Sequence, residues 1–262
     1  MINEKAFELL FLGTCACDFS KRLDSDCKER FDLDARRSSA LLINDSFLID
    51  CGPHTLDALR IAGKRAEDIT DLFITHTHED HYNPENISRL AAAKITPLRI
   101  WVREDARLCE FKNATVSRMK LFENYSVTDE LTLTAVPANH DQLFFPQHFV
   151  FDNKGKKLFY GCDGGWLLNA SYNYLKGAHL AVAVLDCTTG DYPGDFRMGE
   201  HNSIPMIRLM LPSLKTVGAI DDTTAVLLSH LAPSLHKPHA ETVQIARSFG
   251  ADVAYDGMVL TV

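Results

Sequence analysis

The stretch Phe73-Ile-Thr-His-Thr-His-Glu-Asp-His-Tyr-Asn-Pro84 restricts the chain more than any other, because three histidines and two carboxylates fall within six consecutive positions directly behind an apolar run. Residues two apart on an extended chain point to the same side, so His76 and His78 converge on one cation at the end of a strand that stops at Thr75. Asp80 and His81 then face elsewhere. They lie in the turn before a helix announced by Asn83 as cap and Pro84 at its first position, where they can hold a second cation close to the first. Imidazole nitrogens with carboxylate oxygens suit zinc, manganese or iron, and one carboxylate bridging two metals gives a pair able to activate water. A charged surface turn is the competing reading, and the rest of the chain decides between them.

Further ligands belong at strand ends on the same edge, each in a polar break behind apolar residues. Three positions qualify: His140 behind LTLTAVPAN, Asp163 behind KKLFYGC and before two glycines, and His230 behind AVLLS. Each alone is better read as a hydrogen-bonded loop or core residue. Strand followed by ligand, repeated four times, makes the metal reading the stronger one.

The same apolar runs predict strands over Phe7 to Leu12, Ser39 to Ile49, Leu72 to Thr75, Leu98 to Val102, Leu131 to Val136, Lys157 to Tyr160, Leu180 to Leu185 and Ala225 to Leu228. Helices are expected from Thr55 to Ala62, from Pro84 to Ala93 and from His239 to Phe249, the first and last closed by Gly63 and Gly250. Asp256-Gly257 inside Val253 to Val262 reads as the tight turn of a terminal hairpin. The stretch from Glu104 to Ser126 carries no clear signal. Mixed strands and helices point to α/β layers, and without a repeat or linker the expectation is one domain over residues 1–262.

An apolar fraction of 46% with 24% charged residues belongs to a globular protein. A formal charge of −8 opposes a broad nucleic-acid surface, which needs Lys and Arg to neutralise phosphates. A small anionic substrate remains compatible if metals supply positive charge locally. The start, MINEKAFELLFLG, has Glu4 and Glu8 breaking its apolar residues, and the longest apolar run, Leu180 to Leu185, is too short to span a bilayer. A cytoplasmic protein with no membrane partner is therefore expected. Of seven cysteines, Cys15, Cys17 and Cys27 cluster while Cys51, Cys109, Cys162 and Cys187 are isolated and read as packing residues, a pattern of thiols or thiolates and not of a disulfide framework.

The run H-T-H-E-D-H resembles the H-x-H-x-D-H marker of the metallo-β-lactamase superfamily. The likeness extends through LFLGT at 10–14, RRSSALLI at 36–43, FLIDCG at 47–52, NHD at 139–141, YGCDGG at 160–165, LSHL at 228–231 and AYDGM at 254–258. It implies an αββα four-layer sandwich, one metal on His76, His78 and His140, a second on Asp80, His81 and His230, and Asp163 bridging the two. It further implies Asp50 as a carboxylate orienting the ligand turn, and leaves Glu79 as an exposed turn residue. His54, His148 and His179 fall outside every motif.

The cluster Cys15, Cys17 and Cys27 resembles an extra zinc site of PhnP-like phosphodiesterases within that superfamily, for which His236 or His239 would be the fourth ligand. Three reduced thiols in a loop are the alternative. His201, in Met198-Gly-Glu-His-Asn-Ser203, stands where PhnP-like enzymes and tRNA 3′-end endonucleases carry a histidine that serves the phosphoryl group or the leaving alkoxide. Asn202 or Ser203 would cap the apolar helix that follows. Tyr192, Phe196 and Arg197 either contact the substrate or anchor the loop by packing. The resemblance thus leads to a dinuclear-metal phosphodiesterase, with zinc or manganese, or iron, activating water and with Asp80 and His201 in catalytic roles. Its expected partner is a small-molecule phosphodiester, cyclic or nucleotide-like; nucleic acid is disfavoured and a homodimer stays open. A lactone or thioester hydrolase, or a non-catalytic scaffold of the same fold, are the other readings.

Overall fold

The apolar runs become strands and the capped stretches become helices in the computed structural model, which describes residues 6–262. Residues 1–5, with Glu4 of the N-terminal reading, lie outside the described residues. The chain divides into two compact units, one of Met1–Lys120 with Tyr255–Val262 and one of Leu121–Ala254.

The first unit is a mixed sheet of β1 (Glu8–Gly13), β2 (Ala40–Ile43), β3 (Phe47–Ile49), β4 (Asp71–Phe73), β5 (Leu98–Arg103), β6 (Ala114–Met119) and β14 (Val259–Thr261). Their order across the sheet is β14-β1-β2-β3-β4-β5-β6. Two helices belong to it, α1 (Thr55–Ile61) and α2 (Pro84–Ala92), the latter capped as expected by Asn83, whose side chain accepts from the amide of Asn86. From β3 to β6 the strands run parallel. Ile49 lies opposite Phe73, so the chain leaves β3 and β4 side by side and the amide of Asp50 bonds the carbonyl of Phe73 at 2.9 Å. Exits of neighbouring parallel strands are where α/β sheets place their ligands.

The second unit orders β13 (Asp252–Val253), β12 (Ala225–Ser229), β11 (Val182–Asp186), β10 (Lys156–Gly161), β9 (Gln147–Asn153), β8 (Leu131–Pro137) and β7 (Asn124–Ser126). Parallel neighbours β10 to β13 are linked by the crossover helices α3 (Asn169–Leu175), α4 (Ile204–Thr216) and α5 (His239–Arg247). Ile207, Met210, Leu211 and Leu214 of α4 and Ala246 of α5 share one buried cluster with Ala183, Leu185, Val226 and Leu228. That cluster fixes the ends of β10, β11 and β12, beyond which Asp163, Cys187 and His230 follow.

Three expectations need correction. The run Ser39 to Ile49 is two antiparallel strands, because Asn44 and Asp45 adopt left-handed φ of 49° and 61° and turn the chain within it. The terminal hairpin does not form: β13 pairs in parallel with β12 and β14 pairs antiparallel with β1, since each segment finds a longer strand to join. Glu104 to Ser126 holds β6 and β7, both largely exposed and therefore without an apolar pattern.

Candidate metal centre

In the first unit one buried carboxylate organises the ligand turn. Asp50 Oδ1 accepts from the Thr75 amide at 2.8 Å, Oδ2 accepts from the Thr75 hydroxyl at 2.8 Å, and Oδ2 also stands 2.7 Å from His81 Nδ1. Burial raises the Asp50 carboxyl above its usual range against the pull of His81. Thr75 Oγ1 meets His76 Nδ1 at 3.0 Å, so both His76 and His81 are held by Nδ1 and present Nε2. The turn needs Gly52: a Cβ there would sit 1.9 Å from the carbonyl oxygen of Asp80. Glu79 is exposed, as expected.

In the second unit the candidate ligands come from separate loops. Asp163 and His230 follow β10 and β12 and adopt left-handed φ of 59° and 56°; Asp50 in the first unit does the same at 62°. Such a backbone costs a non-glycine residue about 1–3 kcal/mol and concentrates at functional turns. His148, buried behind this loop with Nε2 3.3 Å from the Asp163 carbonyl, is pushed by burial down to about 4 and is a neutral support.

Four spacings test whether these side chains suit divalent cations. His76 Nε2 and His78 Nδ1 are 2.9 Å apart, Asp80 Oδ2 and His81 Nε2 3.4 Å, His140 Nδ1 and Asp163 Oδ1 3.6 Å, and His230 Nε2 and Asp163 Oδ2 3.5 Å. Three of the four exceed a good N–H···O hydrogen bond. Two ligands bound at ~2.0–2.1 Å to one tetrahedral cation stand about 3.3 Å apart, which all four pairs approach. The donor sets therefore fit divalent metals. The two oxygens of Asp163 each face a different histidine, as a bridging carboxylate would.

His201 stands beside the second set. Its Nδ1 lies 3.1 Å from Asp186 Oδ2, 3.1 Å from Asp163 Oδ1 and 3.1 Å from Thr188 Oγ1, and its ring stacks on His230 with centroids 5.6 Å apart. One ligand atom from each of Asp163, Asp186, His201 and His230 lies within 4.8 Å of the others. Burial opposes charge on His201, but Asp186 and Asp163 outweigh it and push the imidazole up to about 11. Of the two caps considered, Ser203 is the one, accepting from the Met206 amide.

Asp186 is the residue of this cluster that sequence reasoning missed. It accepts from the amide and hydroxyl of Thr188 and the amide of Asn202, and it faces Nδ1 of both His201 and His230. Burial disfavours its ionisation, yet the two histidines hold it below the usual carboxylate range. The available signal was Val184-Leu-Asp-Cys187, which repeats Leu48-Ile-Asp-Cys51 around Asp50.

The three clustered thiols differ in their surroundings. Cys15 and Cys27 are buried and Cys17 is exposed, and among the described residues the groups close enough to share a cation do not include these thiols. Cys27 packs with Leu23, Ala35 and Phe19. Burial, then Asp18 and Asp256, push the Cys15 thiol well up. His236 Nε2 donates instead to the carbonyl of Cys187 at 2.6 Å, and His239 opens α5. Arg37 clamps this segment: its Nη2 donates to the carbonyls of Cys27 at 2.6 Å and Arg30 at 3.2 Å. Of the isolated cysteines, Cys51, Cys162 and Cys187 are buried as expected, but Cys109 is exposed.

Among the described residues no helix is long and apolar enough to cross a membrane. A family profile described as beta-lactamase superfamily domain matches residues 45–254, so the chain belongs to that superfamily of metal-dependent hydrolases and has its α/β αββα fold. No curated protein matches it. Among solved structures it is similar to the metallo-beta-lactamase fold protein YhfI from Bacillus subtilis, with a TM-score of 0.75 at 15% identity over 98% of this chain and 99% of that one. It is also similar to human tRNase Z, short form, with a TM-score of 0.65 at 19% identity over 97% and 98% of the two chains. Unliganded yeast PDE1 gives 0.68 at 12% over 98% and 100%. At these identities the likeness concerns the fold alone.

Proposed function

We propose that the chain is a phosphodiesterase acting on a small phosphodiester, a cyclic phosphate or a nucleotide-like ester, with two divalent metals, zinc or manganese, or iron. His76, His78 and His140 would hold one, Asp80, His81 and His230 the other, with Asp163 between them. Bound there, such cations supply Lewis-acid activation of water and of the phosphoryl oxygens. The observation that carries the phosphodiester reading is His201, a histidine beyond the metal set whose Nδ1 is tied to two carboxylates. With Nδ1 engaged, Nε2 is the atom that holds a proton for a leaving alkoxide or donates to a phosphoryl oxygen. Asp186 faces the same Nδ1 and favours a proton there. A tRNase among the similar structures supports phosphodiester cleavage on this fold, while the charge of −8 argues against tRNA itself as substrate.

A panel of linear and cyclic phosphodiesters, phosphomonoesters, lactones and thioesters, offered to metal-reconstituted protein, tests the reading. Chelator-sensitive turnover of phosphodiesters is expected. Turnover of lactones or thioesters with phosphodiesters untouched would overturn it and leave the same metals serving acyl chemistry.

A further inference from the structure

We propose that Leu143, Trp166, Tyr192 and Phe196 form an apolar rim that selects phosphodiesters carrying one planar apolar group on a single phosphate. The inference rests on the phosphodiester reading above and narrows its substrate class. Packing was the alternative role for Tyr192 and Phe196, and their exposure removes it: Phe196 is 89% exposed, Leu143 80%, Tyr192 56% and Trp166 44%. Large apolar side chains exposed on loops that also carry candidate ligands offer a binding surface.

Their positions tie them to the site. Leu143 lies three residues past His140, Trp166 three past Asp163, and Phe196 five before His201. The loops that carry them are stitched together: Asn139 Nδ2 donates to the Trp166 carbonyl at 3.2 Å, the Gly165 amide to the Asn139 carbonyl at 2.8 Å, and Asn202 Nδ2 to the Gly164 carbonyl at 3.0 Å. Leu143 sits in a short 3-10 turn capped by Asp141, and Phe196 opens another capped by Asp195. The Arg197 guanidinium lies 5.6 Å from the Phe196 ring centroid and is paired with Asp195 at 2.8 Å. The rim is thus braced, and its one cation is already neutralised.

Charge sets the rest of the specificity. Residues 138–146, 163–168 and 187–203 carry Asp141, Asp191, Asp195 and Glu200 besides the buried Asp163 and Asp186, against Arg197 as the single Lys or Arg. Such a surface repels a polyanion and leaves apolar contact and aromatic stacking as its attraction. A nucleobase or aryl group on one phosphate meets those conditions, and a polynucleotide does not.

Two diesters with a common leaving group provide the test: methyl 4-nitrophenyl phosphate and naphthylmethyl 4-nitrophenyl phosphate. On metal-reconstituted protein, kcat/KM is expected to favour the naphthylmethyl ester by at least about tenfold, and Phe196→Ala or Trp166→Ala to reduce that ratio by about tenfold. Metal content, measured on the same samples, should stay at the wild-type value. A ratio near one, or one that neither substitution moves, overturns the rim, as does faster cleavage of an oligonucleotide than of the naphthylmethyl ester. If neither ester is hydrolysed, the phosphodiester reading fails and the rim is tested separately by calorimetric titration with naphthylmethylphosphonate and methylphosphonate. Tighter binding of the naphthyl compound that weakens in Phe196→Ala supports the rim; equal binding refutes it.

Discussion

In the first unit Asp50 follows β3, accepts both donors of Thr75 and steadies one histidine, His81. In the second, Asp186 closes β11, accepts both donors of Thr188 and steadies two, His201 and His230. The device is the same, a buried carboxylate and a threonine at a strand exit, but the load differs. His76, His78, Asp80 and His81 share six consecutive residues, so a single turn places them. His140, Asp163, His201 and His230 come from four loops, so tertiary packing brings them together, with Asp186 facing His201 and His230. A contiguous ligand set depends on local backbone, whereas a dispersed one depends on its supporting carboxylate.

The largest test of that contrast is Asp163→Ala, which removes the one carboxylate whose two oxygens face His140 and His230. Metal content and activity should fall together, beyond the ~10–100-fold that loss of an outer partner costs. Elemental analysis and kcat on the same preparation check it, and wild-type activity would show that the bridge lies elsewhere. Next is His201→Ala. If Nε2 serves the phosphoryl group or the leaving oxygen, kcat should fall ~10²–10⁴-fold with metals retained. A 4-nitrophenyl ester should suffer less than an alkyl ester if the role is protonation, and both alike if it is stabilisation of phosphoryl oxygens. Equal kcat values at full metal occupancy would move the assignment toward acyl chemistry.

What was legible in the sequence follows the same division. The H-T-H-E-D-H turn, its strand and its capped helix lie within a dozen residues, and local rules place all of them. As candidates, His140, Asp163 and His230 were legible because each lies just beyond an apolar strand. Asp186 was not, since a strand-closing Asp with no histidine beside it looks like any polar break; only its kinship with the Asp50 segment betrays it. The terminal hairpin failed because Asp256-Gly257 does turn, but pairing partners outside the segment win both arms. Residues Glu104 to Ser126 hid two strands because edge strands exposed on their faces need no apolar alternation.

Asp186→Asn against Asp50→Asn sharpens the comparison at smaller effect. Each keeps the shape and removes the charge. Asp50→Asn should weaken metal binding by ~10-fold, because its turn still holds the ligands, and Asp186→Asn by nearer ~100-fold, with a further loss in kcat through His201. Chelator competition gives the affinities. Equal losses would mean that dispersal of the ligands does not matter.

The smallest expected effect concerns the segment from Cys15 to Arg36, where a side-chain clamp and a zinc site make opposite predictions. Cys17 is exposed and Cys27 is a packing residue, so Cys17→Ser should change stability by no more than ~0.5 kcal/mol and Cys27→Ala by about 1 kcal/mol, with metal per chain unaltered. A structural zinc would respond otherwise, since its binding energy of ~10–16 kcal/mol is folding energy and one lost thiolate forfeits much of it. Arg37→Met provides the contrast. Its side chain is buried and supports the carbonyls of Cys27 and Arg30, so its removal leaves those acceptors unpaired, while Asp256 keeps Arg36, Thr14 and the residue 37 amide. That should cost ~3 kcal/mol in denaturant unfolding while metal content stays constant. Loss of a metal equivalent from either cysteine variant, with Arg37→Met harmless, would reverse the assignment and return the segment to zinc.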